Sequence, residues 1–210
     1  MVASILSGIP MTILLTVVSF AVGALLGIPL ALMRTSRSRV LRVLARTYIE
    51  LLRGIPPLVW LFIVYFGVGN GILTIEPLPA ALVSFSLIAA AYMAEIWRGG
   101  LGAVHRGQAE AGSALGISRV DQLRHIIGPQ VFRLSLPAAA TYAIGLLKDS
   151  SIAYTVGVQD IVFNADMQSK QSTDVMTPYL IAAAAYILLT WPCAWAARRL
   201  DTKLRKAVNR

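Results

Sequence analysis

The first thirty-three residues contain no charged side chain. As helix they would extend about 50 Å, well beyond the roughly 30 Å of a bilayer's hydrocarbon core. Hydrocarbon offers no water to satisfy peptide groups, so such a stretch must close its own hydrogen bonds as a helix. A first span over about 9–32, after a short lead, is therefore expected. A secretory signal peptide is the competing reading. It needs a basic region ahead of the apolar run, whereas here the first basic residue is Arg34, behind it. That order puts the N-terminus outside and residue 34 inside.

The remainder of the chain agrees with a membrane setting. Of 210 residues 57% are hydrophobic and 14% charged, against about 25% charged in soluble domains. The net charge of +9 raises nucleic acid as a partner, but its distribution argues against one. Arg34, Arg37, Arg39, Arg42, Arg46 and Arg53 form one cluster, and Arg98, Arg106, Arg119, Arg124 and Arg133 a second. A third begins at Arg198, and only Lys148 and Lys170 lie elsewhere. Clusters flanking apolar runs mark the inner ends of spans. Cys193 is the single cysteine, so no internal disulfide can form.

Five spans follow, over about 9–32, 47–68, 80–97, 130–148 and 176–197, within a single domain of 1–210. The second opens on Tyr48, Glu50, Arg53 and the pair Pro56-Pro57. Glu50 and Arg53 stand three apart and can pair on one helix face, as an interfacial ion pair beside a kink or as a packed hinge at the cytoplasmic end of a pathway. Residues 69–79 form an outer loop. The third span carries Ala89, Ala90 and Ala91, small enough for close helix contact, and reaches Glu95 and Arg98 near the inner face. The fourth is awkward. Its uncharged part, 134–147, is about 21 Å long, so either Arg133 snorkels or Lys148-Asp149 lies within protein. Residues 150–174 form a polar outer loop with a short helix, and Trp191, Trp195 and Arg198-Arg199 mark the inner end of the fifth span.

Between the third and fourth spans lies a polar interruption over about 99–129. It reads as a short helix, a turn at Gly116 and a second short helix over 118–127 capped by Ser118, with Pro129 ending it or starting the next. A helical knob on the basic side of a membrane protein suits a soluble partner. The glycines at 99, 100, 102 and 107 lack the lysine of a phosphate-binding loop, so the chain is not expected to bind ATP. His105 and His125 have no ligand residues at metal spacing. Ser150-Ser151 beside Lys148-Asp149 has no nearby histidine, and helix-end hydrogen bonding explains it better than hydrolysis. No enzyme signature remains.

The interruption resembles the cytoplasmic loop of importer-type ABC permeases, whose pattern is Glu-Ala-Ala, three residues, Gly, nine residues, Ile, one residue, Leu-Pro. Here it is Glu110-Ala111-Gly112, Gly116, Ile126 and Gly128-Pro129. Gly112 stands for the third alanine and Gly128 for the leucine. Other stretches resemble the polar amino acid branch: Gly8 to Thr16, Tyr48 to Pro56, Ala91 to Gly99 with Gly107-Gln108, and Leu147-Lys148-Asp149-Ser150-Ser151-Ile152. Thr141 stands where that branch usually has asparagine.

The resemblance implies an all-α integral membrane protein with five transmembrane helices, cytoplasmic coupling helices and the importer-type ABC permease fold. It implies coupling to an ATPase through Gln108, Glu110, Ala111, Gly112, Gly116, Ile126 and Pro129, with Glu110 anchoring the knob. It implies pathway or gating roles for Glu50, Arg53, Tyr92, Glu95, Arg98, Thr141, Lys148, Asp149, Ser150 and Ser151. The implied partners are a cytoplasmic ATPase dimer that binds the ATP and magnesium, a second permease subunit, identical or related, and an extracytoplasmic substrate-binding protein that delivers an amino acid. The implied place is the bacterial inner membrane, multi-pass, with the C-terminus cytoplasmic. An opine, ectoine or methionine permease and a non-transport structural protein are the alternatives.

Overall fold

A computed structural model describes residues 1–68 and 75–208; most of the expected loop at 69–79 lies outside them. A short helix α1 (Val2–Leu6) precedes α2 (Ile9–Thr35). Next come α3 (Arg39–Gly54), α4 (Pro57–Phe62), which runs into a π-helical turn over Ile63–Val68, and α5 (Pro77–Ala103). Helix α6 (Arg106–Ala114) and α7 (Arg119–Asp121) follow, α7 continuing through a π turn over Gln122–Ile127 into α8 (Gly128–Asp149). A 3-10 segment, Ser150–Val156, leads to α9 (Ile161–Gln171) and the long α10 (Met176–Val208).

The core is built on α2 against α5. The buried side of α2 is a stripe of small and polar residues: Thr12, Thr16, Ser19, Gly23, Gly27 and Ala31. A Cβ on Gly23 would run into the Cβ of Ala89, and one on Gly27 would come within 2.8 Å of that of Met93. The helices therefore touch backbone to backbone, as small residues allow where lipid supplies no hydrophobic drive between helices. Two buried hydroxyls bond within their own helices, Thr16 donating to the Thr12 carbonyl at 2.8 Å and Ser84 to that of Ala80 at 2.8 Å, while the buried Ser19 Oγ has no partner among the described residues.

Because Gly23 meets Ala89 and Gly27 meets Met93, α2 and α5 run parallel. Helix α8 runs against α5, placing Ser135 on the Ile96 carbonyl and Tyr142 on Tyr92. The first turns of α10 share a separate apolar cluster with Ile5, Ile161 and Ala165. Large apolar side chains face outward elsewhere, including Leu25, Leu180, Ile187 and Leu188. Such an outside suits hydrocarbon or a partner subunit.

By length and composition three stretches can cross a membrane: Val2–Thr35, Pro77–Ala103 and Met176–Arg199. The pair Arg39–Gly54 and Pro57–Gly67 counts as a fourth if read as one span broken by a 104° bend. This corrects the uninterrupted span expected over 47–68. Helix α3 begins at Arg39 and is strongly amphipathic, and Pro56-Pro57 cannot carry it on, because proline lacks the N–H and forces its predecessor into extended backbone. The connection between α2 and α3 is only Ser36–Ser38, closed by Arg42 donating to the Ser36 and Arg37 carbonyls at 2.7 and 2.8 Å. Helix α8, expected to hold the fourth span, reaches 22 residues, about 33 Å, but is not among the stretches that qualify by length and composition.

Candidate coupling and pathway sites

The knob is a helix–turn–helix whose parts follow from local chemistry. His105 caps α6 by accepting from the Gly107 N–H at Nδ1, 3.1 Å away. Gly116 turns the chain at φ +71°, a left-handed conformation that glycine takes without a Cβ penalty. Ser118 caps the second arm by accepting from the Asp121 N–H at 3.1 Å. Pro129 stops nothing. It sits in the first turn of α8, where a missing N–H costs little, and the widened π turn before it passes smoothly into α8. A Cβ on Gly128 would strike the Leu123 carbonyl, so this departure from the family pattern has a steric reason.

The two arms are held by a residue the sequence reading passed over. Gln122 is 4% exposed, and its Nε2 donates to the Ile117 carbonyl at 2.8 Å and to Ser113 Oγ at 3.2 Å. Its side chain lies on buried Gly112, where a Cβ would approach Gln122 Cδ to 2.8 Å. The glycine that replaces the third alanine therefore makes room for the anchor. Glu110, expected to anchor the knob, is exposed. With Arg119 it lines a hollow of about 610 Å³ between the arms. Gln108 and Ala111 are exposed, and Ile126 is half-buried. At the tip Leu115 is 78% and Val120 72% exposed. Apolar side chains in a polar segment were the available signal for them.

The C-terminal ends of α2 and α5 meet through ions. Glu95 takes Arg34 at 3.4 Å and Arg98 at 2.7 Å, its side chain 18% exposed. Trp97 Nε1 donates to the Ala24 carbonyl at 3.0 Å alongside. Arg34 and Arg98, from different basic clusters, thus share one end of the bundle. At the far end of α10 the Arg199 guanidinium lies 3.7 Å over the Trp195 ring.

Glu50 and Arg53 do not pair as their spacing suggested. Glu50 accepts from Arg46 at 2.7 Å on an exposed face. The Arg53 guanidinium instead lies 4.9 Å over the Tyr92 ring, and Tyr92 stacks on Tyr142 at 4.9 Å and 17°. The hinge after Gly54 thus delivers a cation to an aromatic pair partway along α5. Tyr142 was missed, although it follows Thr141, whose hydroxyl returns to the Pro137 carbonyl at 3.0 Å. Asp149 ends α8 two turns above Tyr142, on the same face. Lys148 lines a different hollow, of about 270 Å³, with Ser151, Tyr179 and Tyr186. Ser150 is 1% exposed and spends its hydroxyl on the Leu147 carbonyl at 2.8 Å, a helix-end bond and not a nucleophile's setting.

Comparison with known proteins fits this geometry. Residues 23–206 match the family described as binding-protein-dependent transport system inner membrane component. The chain is 39% identical over 182 residues to the probable amino-acid ABC transporter permease protein YckA of Bacillus subtilis (strain 168), covering 87% of this chain and 80% of that protein. It is 36% identical over 214 residues to the octopine transport system permease protein OccM of Rhizobium radiobacter, covering 98% and 86%. A crystal structure of an amino acid ABC transporter with histidines superposes at a TM-score of 0.86 with 33% identity, covering 97% of this chain and 94% of that one.

Proposed function

This chain belongs to the family of binding-protein-dependent transport system inner membrane components, and we propose that it is the permease subunit of an ATP-driven importer for a polar amino acid. It supplies half of the pathway, with five passes, the N-terminus outside and the C-terminus in the cytoplasm of a bacterium. A second permease subunit supplies the other half, an extracytoplasmic binding protein delivers the solute, and a dimer of cytoplasmic ATPases binds ATP and magnesium.

The observation that carries this reading is the knob. Leu115 and Val120 project from a tip bent at Gly116, and Gln122 ties both arms to α8 through the unbroken π turn. A closing ATPase that grips the tip moves α8, and α8 carries Tyr142 and Asp149. Coupling of this kind is a shift of a rigid element between two packings. Arg53, Tyr92, Tyr142, Thr141 and Asp149 form the pathway wall in this reading, and Glu95 with Arg34 and Arg98 is a clamp at its inner end. Relatives named for a general amino acid and for octopine support the solute class and leave an opine as the second reading.

The test uses proteoliposomes holding the full complex. Gly116→Glu is expected to insert and assemble normally yet abolish ATP-dependent uptake. Cysteines placed at 115 or 120 are expected to crosslink to the ATPase. Unchanged uptake, with no crosslink, would overturn the coupling role.

A further inference from the structure

The connection between α8 and α10 holds a carboxylate that the pathway reading leaves unused. Asp160 is 0% exposed and has no ion-pair partner among the described residues. Its Oδ1 accepts from the Phe163 N–H at 2.8 Å, capping α9. Its Oδ2 accepts from the Tyr186 hydroxyl of α10 at 3.4 Å. The backbone beside it lies on α2: a Cβ on Gly8 would strike the Asp160 carbonyl, and the Ile161 N–H donates to Thr12 Oγ1 at 3.4 Å. Four pieces of chain, α2, the connection, α9 and α10, therefore meet at one buried carboxyl.

A burial this complete, for a group with no cation, penalises the charged form. Other charges are few on the elements packed against it. Helices α1 and the outer half of α2 carry none, and α10 offers Tyr186. The 3-10 segment carries Tyr154, and α9 carries Asp166 and Lys170, paired with each other at 2.6 Å. Lys148 and Asp149 end α8, and Lys148 lines the hollow that reaches Tyr186. That hollow thus borders Tyr186, the donor to the carboxyl, though not Asp160 itself.

We propose that Asp160 is a proton-responsive positioning residue: its carboxyl clasps α9 and α10 onto the outer end of α2, and gaining or losing its proton tightens or loosens that clasp. The inference rests on the permease reading for its effect on transport, not for the clasp itself. Protonated, the carboxyl keeps one oxygen for the Phe163 N–H and gives its own O–H to the Tyr186 hydroxyl, so no charge is buried. Ionised, it is a buried anion held by neutral donors, and water drawn in past Tyr186 loosens the junction. Burial pushes the carboxyl up from 3.8 to about 6, against the opposing hydrogen bonds from Phe163 and Tyr186. The folded state thus binds more protons than the unfolded one between those values, so the clasp's contribution is full below about pH 4 and is lost as pH rises through about 6.

The experiment reads two properties of the assembled complex. The first is the thermal unfolding midpoint in mild detergent, followed from about pH 4 to 8 in wild type, Asp160→Asn and Tyr186→Phe. Wild type minus Asp160→Asn should show a midpoint advantage that falls as pH rises through about 6. Tyr186→Phe removes a donor that favours the anion, so its transition should move to higher pH, which a purely structural contact would not produce. The second is uptake at varied exterior pH. Wild-type uptake should rise across the same window, and Asp160→Asn should stay at the acid-side level. A wild-type difference profile with no pH dependence, or a Tyr186→Phe transition that stays in place, overturns the clasp. Sensitivity to interior pH alone overturns its outer placement. Absence of any uptake by wild type overturns the permease reading, while the melting profiles still decide the clasp.

Discussion

Gln122 shows how much one side chain can carry in a segment with little core. Its two hydrogen bonds hold the Gly116 turn shut, and its aliphatic part fills the space above Gly112. Gln122→Ala would leave the Ile117 carbonyl short of a donor, at a cost of about 1–3 kcal/mol. The expected outcome is faster amide hydrogen exchange across 106–127 and weaker stimulation of the ATPase by solute-loaded binding protein. Gly116→Ala differs in kind. A Cβ there meets nothing within 4 Å, so the cost is backbone strain alone, about 1–2 kcal/mol. Partial loss of uptake with normal assembly is expected, against complete loss for the bulky, charged Gly116→Glu. Arg53→Lys retains the charge but loses the flat guanidinium over Tyr92, and arginine and lysine are not equivalent at stacked sites. Uptake measured as a function of solute should show a lower maximal rate with normal amounts of complex in the membrane.

Among elements, the α2–α5 pair decides stability. Gly23 sits against Ala89 with no space for a methyl group, so Gly23→Ala must push the two helices apart. Overpacking of this kind costs about 1–3 kcal/mol, and the melting midpoint of the purified complex should fall. Gly145→Ala, with nothing within 4 Å of its new Cβ, should not lower it and serves as the control. The broken α3–α4 pair teaches a related lesson. Its hydropathy is that of one span, but two prolines turn it through 104°, and that turn sends Arg53 to Tyr92 and leaves Glu50 to Arg46. Sequence spacing offered Glu50 and Arg53 to each other because helix neighbours three apart are close. It could not show that a better-placed partner stood four residues earlier.

For the molecule as a whole, the first two basic clusters meet at one end of the bundle, where Arg34 and Arg98 share Glu95. With Cys193, which is exposed, first replaced by serine, single cysteines at 37 and 120 should react with impermeant reagents only from the cytoplasmic side. A cysteine at 172 should react only from outside. Labelling of all three from one side would sink the topology and, with it, the coupling role. The sequence by itself determined the helical class, three of the apolar stretches long enough to cross a membrane and the knob with its glycine turn. Each of these rests on local chemistry: runs without charge, arginines behind them, a cap, a residue free to take positive φ. Only the tertiary structure decided what meets across the bundle. Gln122 as anchor, Tyr142 in the stack, Arg34 at Glu95 and the buried Asp160 all depend on helices whose crossing points are set by small residues and proline breaks, and one chain read in order carries no record of which faces touch.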